Sequence, residues 1–340
     1  MTDGLAPQQP VIPAAEELAE AFAATRLVTV RTPLLESEAL AQATGAARAF
    51  VKAESLQTAG SFKIRGATWR LTRLSDAARN NGVVAYSSGN FAQGLAAAGR
   101  AQGVPVTIVM PADAPQMKRR ATEALGARVV LSHHGDRPRE EAASALAREI
   151  AATKGLTLLH PFDDPAIVAG QAGAALEAME QLAAEDAHAD VVACPVGGGG
   201  LIGGVSLAFR NADSDVRVIA VEPEGYDGMG QSLAAGERRR VASGETTVCD
   251  ALQATEPGVA PFAAARLAGV TGVSVTDDEV RAALRFAFER LKIVLEPSGA
   301  VALAAALSGR LPVVGKTLLV FATGGNVAFD SFAAFLGRAD

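Results

Sequence analysis

The chain reads as an α/β protein whose parallel sheets are flanked by helices, and three observations lead there. From Ala49 onward, short β-branched runs alternate with Ala-rich, helix-sized segments. The composition is 49% apolar, with Ala and Gly far ahead of the aromatics, which suits closely packed helices and sheet. No internal repeat or low-complexity linker interrupts the 340 residues, so any lobes must share an intimate boundary. In such folds ligands bind at the carboxyl ends of the strands.

The elements follow in order. The N-terminal "MTDGLAPQQPVIPAAEELAEAFA" starts acidic and proline-punctuated, then turns amphipathic, with neither a basic n-region nor an apolar h-region. No later run is a charge-free membrane span, so a cytoplasmic protein is expected. "RAFVKA" is the first strand candidate. "SFKIRGA", residues 61–67, then opens a helix with Ser61 as N-cap and Lys63 in the first turn. That is a poor place for a cation, because the helix dipole and the apolar flanks both favour the neutral, nucleophilic amine.

Residues 82–157 form a self-contained strand and helix set, containing "GVVAYSS", "VPVTIVM" and "ARVVLS", and are expected to be a smaller inserted domain. The larger domain takes 1–81 and 158–340. Within the insert, "SSGNFAQG" (87–94) stands at a strand-to-helix junction, where hydroxyls, a carboxamide and free N–H groups can hold a carboxylate or a cofactor oxygen. "LTLLH" supplies a strand, and "AIVAGQAGAALEAMEQLAA" reads as a single helical piece.

"DVVACPVG" is a strand running into "CPVGGGGLIGG" (194–204), whose consecutive glycines can bring successive N–H groups onto one phosphate at a helix start. The same run contains G-x-G-x-x-G at Gly198, Gly200 and Gly203. Glu222 follows 22 residues after Gly200 at the end of "VRVIAVEP", so an NAD-dependent oxidoreductase fits the local pattern. It leaves "SFKIRGA" and "SSGNFAQG" without roles. Near the C-terminus, "LEPSGA" presents Glu296 at a helix start, and "TLLVFATGG" places Thr323 at a strand end.

Other chemistries are poorly supported. Net charge is −6 and the only basic run is Arg238–Arg240, so nucleic acid has no electrostatic footprint. Cys194 and Cys249 make neither a disulfide framework nor a zinc site, and Cys194 is expected to be buried. His133 and His134 read as a loop and His160 as a strand-end core or turn residue; with His188 they form no metal-ligand spacing, and no G-x-S-x-G elbow occurs.

The ordered set "SFKIRGA", "SSGN", "GGGGL", "EPSGA" and "TGGN" resembles the fold type II pyridoxal phosphate-dependent enzymes, specifically the serine/threonine dehydratase and serine racemase family. The resemblance implies a two-lobed, tryptophan synthase β-like α/β fold. It implies that Lys63 bonds covalently to the cofactor and acts as base, which requires a neutral amine. Phe62 would pack on the cofactor ring, Asn90 would bond its phenolic oxygen, and Gly197, Gly198, Gly199, Gly200 and Leu201 would hold its phosphate. Glu296 would join the cofactor site and Thr323 would face the ring nitrogen. Ser87, Ser88, Gly89, Asn90 and Phe91 would bind substrate, Ser88 on the face opposite Lys63.

Phe91 stands where relatives usually carry histidine, and Thr323 where they carry serine. Glu222 matches a metal ligand of the metal-dependent relatives, so a cation beside it is expected. The implied reaction is α,β-elimination from an L-β-hydroxy-α-amino acid, giving a 2-oxo acid and ammonia, with amino-acid racemisation as the alternative. The expected partner is a small amino-acid substrate, with no nucleic acid and no membrane, in a homodimer or homotetramer. A C-terminal regulatory domain is not expected.

Overall fold

The computed structural model describes residues 10–133, 135, 139–212, 215–242 and 246–337; residues 1–9 and His134, both read above, lie outside them. The strands are β1 (Leu34–Glu36), β2 (Arg48–Ala53), β3 (Val83–Tyr86), β4 (Val106–Pro111), β5 (Arg128–Ser132), β6 (Thr157–Leu158), β7 (Val191–Pro195), β8 (Arg217–Pro223), β9 (Thr271–Val275) and β10 (Thr317–Ala322). They form a six-stranded sheet in the order β1-β2-β10-β7-β8-β9 and a four-stranded sheet in the order β5-β4-β3-β6. Every pairing is parallel except β1 with β2. No helix among the described residues is long and apolar enough to cross a membrane.

Side-chain alternation explains why the large sheet is covered on both faces. Along β10, Leu319 and Phe321 enter one apolar layer, while Leu318, Val320 and Ala322 enter the other. β1 and β9 are additions to the expected strands. Both lie at the edges of the six-stranded sheet, where one side stays open and no continuous apolar run is needed.

The helix bearing Lys63 spans Lys63–Thr72 and lies between the Asn90–Gln102 and Pro165–Gln171 helices. Glycines permit near-backbone contact on both sides. A Cβ at Gly94 would sit 2.8 Å from Ile64 N, and one at Gly170 would sit 2.7 Å from Gly66 Cα. The expected single helix over 166–184 divides at Ala172 into Pro165–Gln171 and Gly173–Ala184. The break falls where the Gly200–Ala212 helix crosses, since a Cβ at Gly204 would come within 2.6 Å of Ala172 N.

Ser61 corrects an expectation. Its backbone is extended (φ −164°, ψ 163°) and bridges to Gly324, and its buried hydroxyl finds no partner among the described residues. The extended backbone is compatible with a cap, but the hydroxyl accepts from no helix N–H, so the cap is not made. Phe62 occupies the N-cap position, and Lys63 is the first helical residue.

Candidate active site

The Lys63 ammonium meets little that would keep it charged. Nζ donates to Pro161 O over a long 3.4 Å and lies 5.1 Å from the Phe62 ring centroid. The side chain keeps some open surface, yet enough protein encloses it that desolvation is the leading influence. Burial pulls its pKa from 10.5 down to about 8, while the Glu296 carboxylate pulls the other way.

β7 ends at Pro195 and the next helix begins at Gly200. Among the described residues, the N–H groups of Gly197, Gly198, Gly199, Gly200 and Leu201 donate to no protein acceptor. The glycines here answer to crowding. A Cβ at Gly198 would meet the Phe162 ring at 2.3 Å, and Gly199 (φ +95°) would meet Met229 Cε at 2.6 Å. Unpaired donors at the start of a 13-residue helix make a cradle for a phosphate-sized anion.

A second helix start faces the site from the smaller sheet. β3 leads through Ser87 and Ser88 to Gly89, which precedes the Asn90–Gln102 helix. Ser87 Oγ accepts the Gly89 N–H at 3.2 Å, while the Ser88 hydroxyl makes no hydrogen bond to a described residue. Asn90 links three segments. Its Nδ2 donates to Glu296 Oε1 at 2.5 Å, and its Oδ1 accepts from Asn326 Nδ2 at 2.7 Å. The amide keeps one N–H to offer beyond this network.

Glu296 is buried ahead of the Pro297–Leu307 helix, and its carboxyl rises from 4.5 to about 7. Desolvation leads, the Asp250 charge adds to it, and the Asn90 hydrogen bond opposes it. Asp250 itself accepts from Lys118 Nζ at 2.5 Å. Thr323, 5% exposed, follows β10, and its carbonyl accepts the Phe62 N–H at 3.3 Å.

The structure therefore brings Phe62, Lys63, Asn90, Glu296 and Thr323 into one connected site, and Phe162 joins Gly198 and Gly200 to the Lys63 contact at Pro161. Phe91 departs from its expected place beside the substrate: it is 2% exposed and packs in the apolar core under the smaller sheet with Ile64 and Leu95. Helical periodicity sets it about 100° around the helix from Asn90, toward the core.

Glu222 also lies apart from this chemistry. It is 1% exposed, and its two oxygens accept the Met229 and Gly230 N–H groups, each at 2.8 Å. Burial raises its carboxyl to about 8. It is not available to a ribose, and the dinucleotide alternative falls with it. No group of three or more His, Cys, Asp or Glu among the described residues is placed to hold a metal, so the expected cation finds no donor set.

Sequence reading missed the His160–Asp163 segment as part of the site. His160 Nδ1 accepts the Asp163 N–H at 2.9 Å, which folds Pro161 toward Lys63 and Phe162 onto the glycines. Only its position just after a strand could have flagged it.

Comparison with known proteins gives a consistent result. Residues 25–324 match the family described as Pyridoxal-phosphate dependent enzyme. An L-threonine ammonia-lyase from Thermotoga maritima is 40% identical over 312 residues, covering 92% of this chain and 75% of the relative. An L-threo-3-hydroxyaspartate ammonia-lyase from Saccharomyces cerevisiae is 36% identical, covering 91% and 92%. Maize serine racemase superposes with a TM-score of 0.88 at 31% identity, covering 94% of this chain and 96% of that one.

Proposed function

We propose a function from one premise: the chain belongs to the pyridoxal-phosphate dependent enzymes. It is an ammonia-lyase that takes an L-β-hydroxy-α-amino acid such as threonine or serine to a 2-oxo acid and ammonia. Its relatives named ammonia-lyases support this reading. The observation that carries it is Lys63, an amine pulled to about 8 beside a cradle of unpaired N–H groups.

The residues fit the cofactor. The N–H groups of Gly197–Leu201, which donate to no acceptor among the described residues, would hold its phosphate at the helix start. Thr323 would meet the ring nitrogen, with Phe62, Asn90 and Glu296 around the ring. When bound, pyridoxal phosphate supplies an aldehyde carbon open to amines and a conjugated ring that accepts the electron pair left by a departing α-proton.

With the cofactor bound, Lys63 would be the amine held at that carbon until a substrate amine takes its place. Freed, Lys63 Nζ takes the α-proton, for which a pKa near working pH is the efficient value. The Ser88 and Asn90 N–H groups, unpaired among the described residues, hold the substrate carboxylate together with the Ser87 and Ser88 hydroxyls at the helix start. The β-hydroxyl would leave as water by gaining one proton, which balances the α-proton that Lys63 takes up, and the released enamine would hydrolyse to the 2-oxo acid and ammonia. Lys118, a cation at this edge, is already paired with Asp250, which favours a neutral β-substituent over a second carboxylate.

Racemisation is the second reading. The unbonded Ser88 hydroxyl is a candidate proton carrier on the opposite face, and the likeness to a serine racemase supports it. The same reading divides the chain into a large cofactor-binding part, 1–81 and 158–340, and an inserted part, 82–157, which the two separate sheets support. Keto-acid release from L- and D-serine, L- and D-threonine and hydroxyaspartate, with chiral chromatography, tests it. Racemisation exceeding keto-acid release in the unmodified enzyme would overturn the lyase assignment.

A further inference from the structure

Four buried charged residues lie behind the Lys63 helix, and the proposed chemistry uses none of them. Arg65, Lys52, Glu54 and Glu177 are each at most 2% exposed. Arg65 Nε and Nη2 grip Glu54 Oε2 and Oε1, both at 2.8 Å, and Nη2 also reaches Glu177 Oε1 at 2.9 Å. Lys52 Nζ donates to the same Glu177 oxygen at 2.6 Å, and Thr32 Oγ1 donates to Glu54 Oε1 at 2.6 Å. Glu54 follows β2, and Glu177 sits on the Gly173–Ala184 helix.

Two positive and two negative groups balance, yet burying four ions is an expensive way to stabilise a core. Apolar side chains of similar volume often do as well or better. What ions add is direction. A guanidinium fork donates to a carboxylate in one plane, a geometry that a methyl contact does not require.

Arg65 follows Lys63 by two residues, about 200° around the helix, so the fork holds the back of the turn whose front bears the amine. The contacts at Gly94 and Gly170 set how near the neighbouring helices lie. Directional bonds also run from Gly66 N–H to Gln171 Oε1 at 3.2 Å and from Arg70 Nε to Asp164 Oδ2 at 2.6 Å, but the Arg65 fork is bidentate, fully buried and in the same turn as Lys63. At the outer radius of a helix, about 5–6 Å, a rotation of about 10° moves a side-chain tip by about 1 Å. A misplacement of about 1 Å costs on the order of 100-fold in rate.

We propose that Arg65 is a positioning residue: its fork onto Glu54 and Glu177 fixes the rotation of the Lys63–Thr72 helix and thereby aims the Lys63 amine. This rests on the reading of Lys63 as the cofactor-bearing residue.

Three purified holoenzyme variants test it. Arg65→Lys keeps the charge without the fork, Arg65→Met/Glu54→Gln removes one charge of each sign, and Lys63→Ala checks the underlying reading. Each is followed by thermal melting, by visible circular dichroism per bound cofactor, and by kcat and KM well below melting. Arg65→Lys, assayed well below its own melting point, is expected to lose about 100-fold in kcat with KM little changed, and to show an altered visible band. The double variant, where it folds, should show the same kinetic loss.

A folded Arg65→Lys protein with parental kcat and an unaltered visible band would overturn the proposal, leaving the cluster merely structural. If Lys63→Ala instead keeps the parental visible band, the reading of Lys63 itself fails, an outcome distinct from the first.

Discussion

Lys52 and Lys63 are two enclosed lysines with opposite surroundings. Burial lowers the pKa of both, and both feel a glutamate that opposes it. Lys52 is fully buried, and its three N–H bonds meet three acceptors: Glu177 Oε1 at 2.6 Å, Gln181 Oε1 at 2.7 Å and Thr32 O at 2.9 Å. Nothing is left over, so Lys52 has the complete donor set of an ammonium and no lone pair for chemistry. Lys63 has a single carbonyl at 3.4 Å. Burial alone therefore does not make a nucleophile; burial without acceptors does.

The largest effect should come from removing the poised amine. Lys63→Ala is expected to lower kcat on the order of 10⁴-fold or more. Borohydride treatment of the unmodified holoenzyme should place the cofactor mass on the peptide containing Lys63; finding it on Lys52 would reverse the comparison.

Removing the paired amine should act on stability instead. Lys52→Met leaves Glu177 with Arg65 as its remaining cation, and about 3 kcal/mol of unfolding free energy should be lost, with kcat/KM changed far less than by Lys63→Ala. Urea unfolding of both variants separates the two roles.

A titration sharpens the contrast further. In cofactor-free protein, an amine-directed acylating reagent should label Lys63 with a midpoint near pH 8 and leave Lys52 unlabelled, as peptide mass spectrometry would read. Glu296→Gln removes the charge that holds the Lys63 pKa up, so this midpoint should move below its parental value.

Linkage gives the smallest signals. Lys63 titrates lower when folded, about 8 against 10.5, so the unfolded chain binds more protons in that window and stability from this group rises with pH across it. Glu296 titrates higher when folded, about 7 against 4.5, so the folded chain binds more protons there and stability from it falls as pH rises from 4.5 to 7. Glu296→Gln should flatten that lower slope in urea midpoints measured across it.

Much of the framework was legible in the sequence. "RAFVKA", "VPVTIVM" and "TLLVFATGG" announce strands because both faces of a covered parallel strand are apolar, a property of the run itself. The glycine loop and the helix-start position of Lys63 were equally readable, since local chain geometry sets them. Ser61 misled because its residue type favours capping, while in the fold its hydroxyl is buried and bonds no helix N–H, in a segment that bridges to Gly324 far along the chain. Phe91 misled because motif position says which residue stands beside Asn90 but not which way the helix turns it.

By itself, then, the sequence determined the alternation of strands and helices, the glycine loop ahead of a helix start and the placement of a lysine where a helix start disfavours its charge. The tertiary structure alone decided which of two enclosed lysines is left with a single, long hydrogen bond. Lys52 meets Glu177 across 125 residues of chain, and Lys63 meets Pro161 across 98. Hydrogen-bond satisfaction of a buried group depends on side chains that only folding brings within 3 Å or so, and no local pattern encodes them.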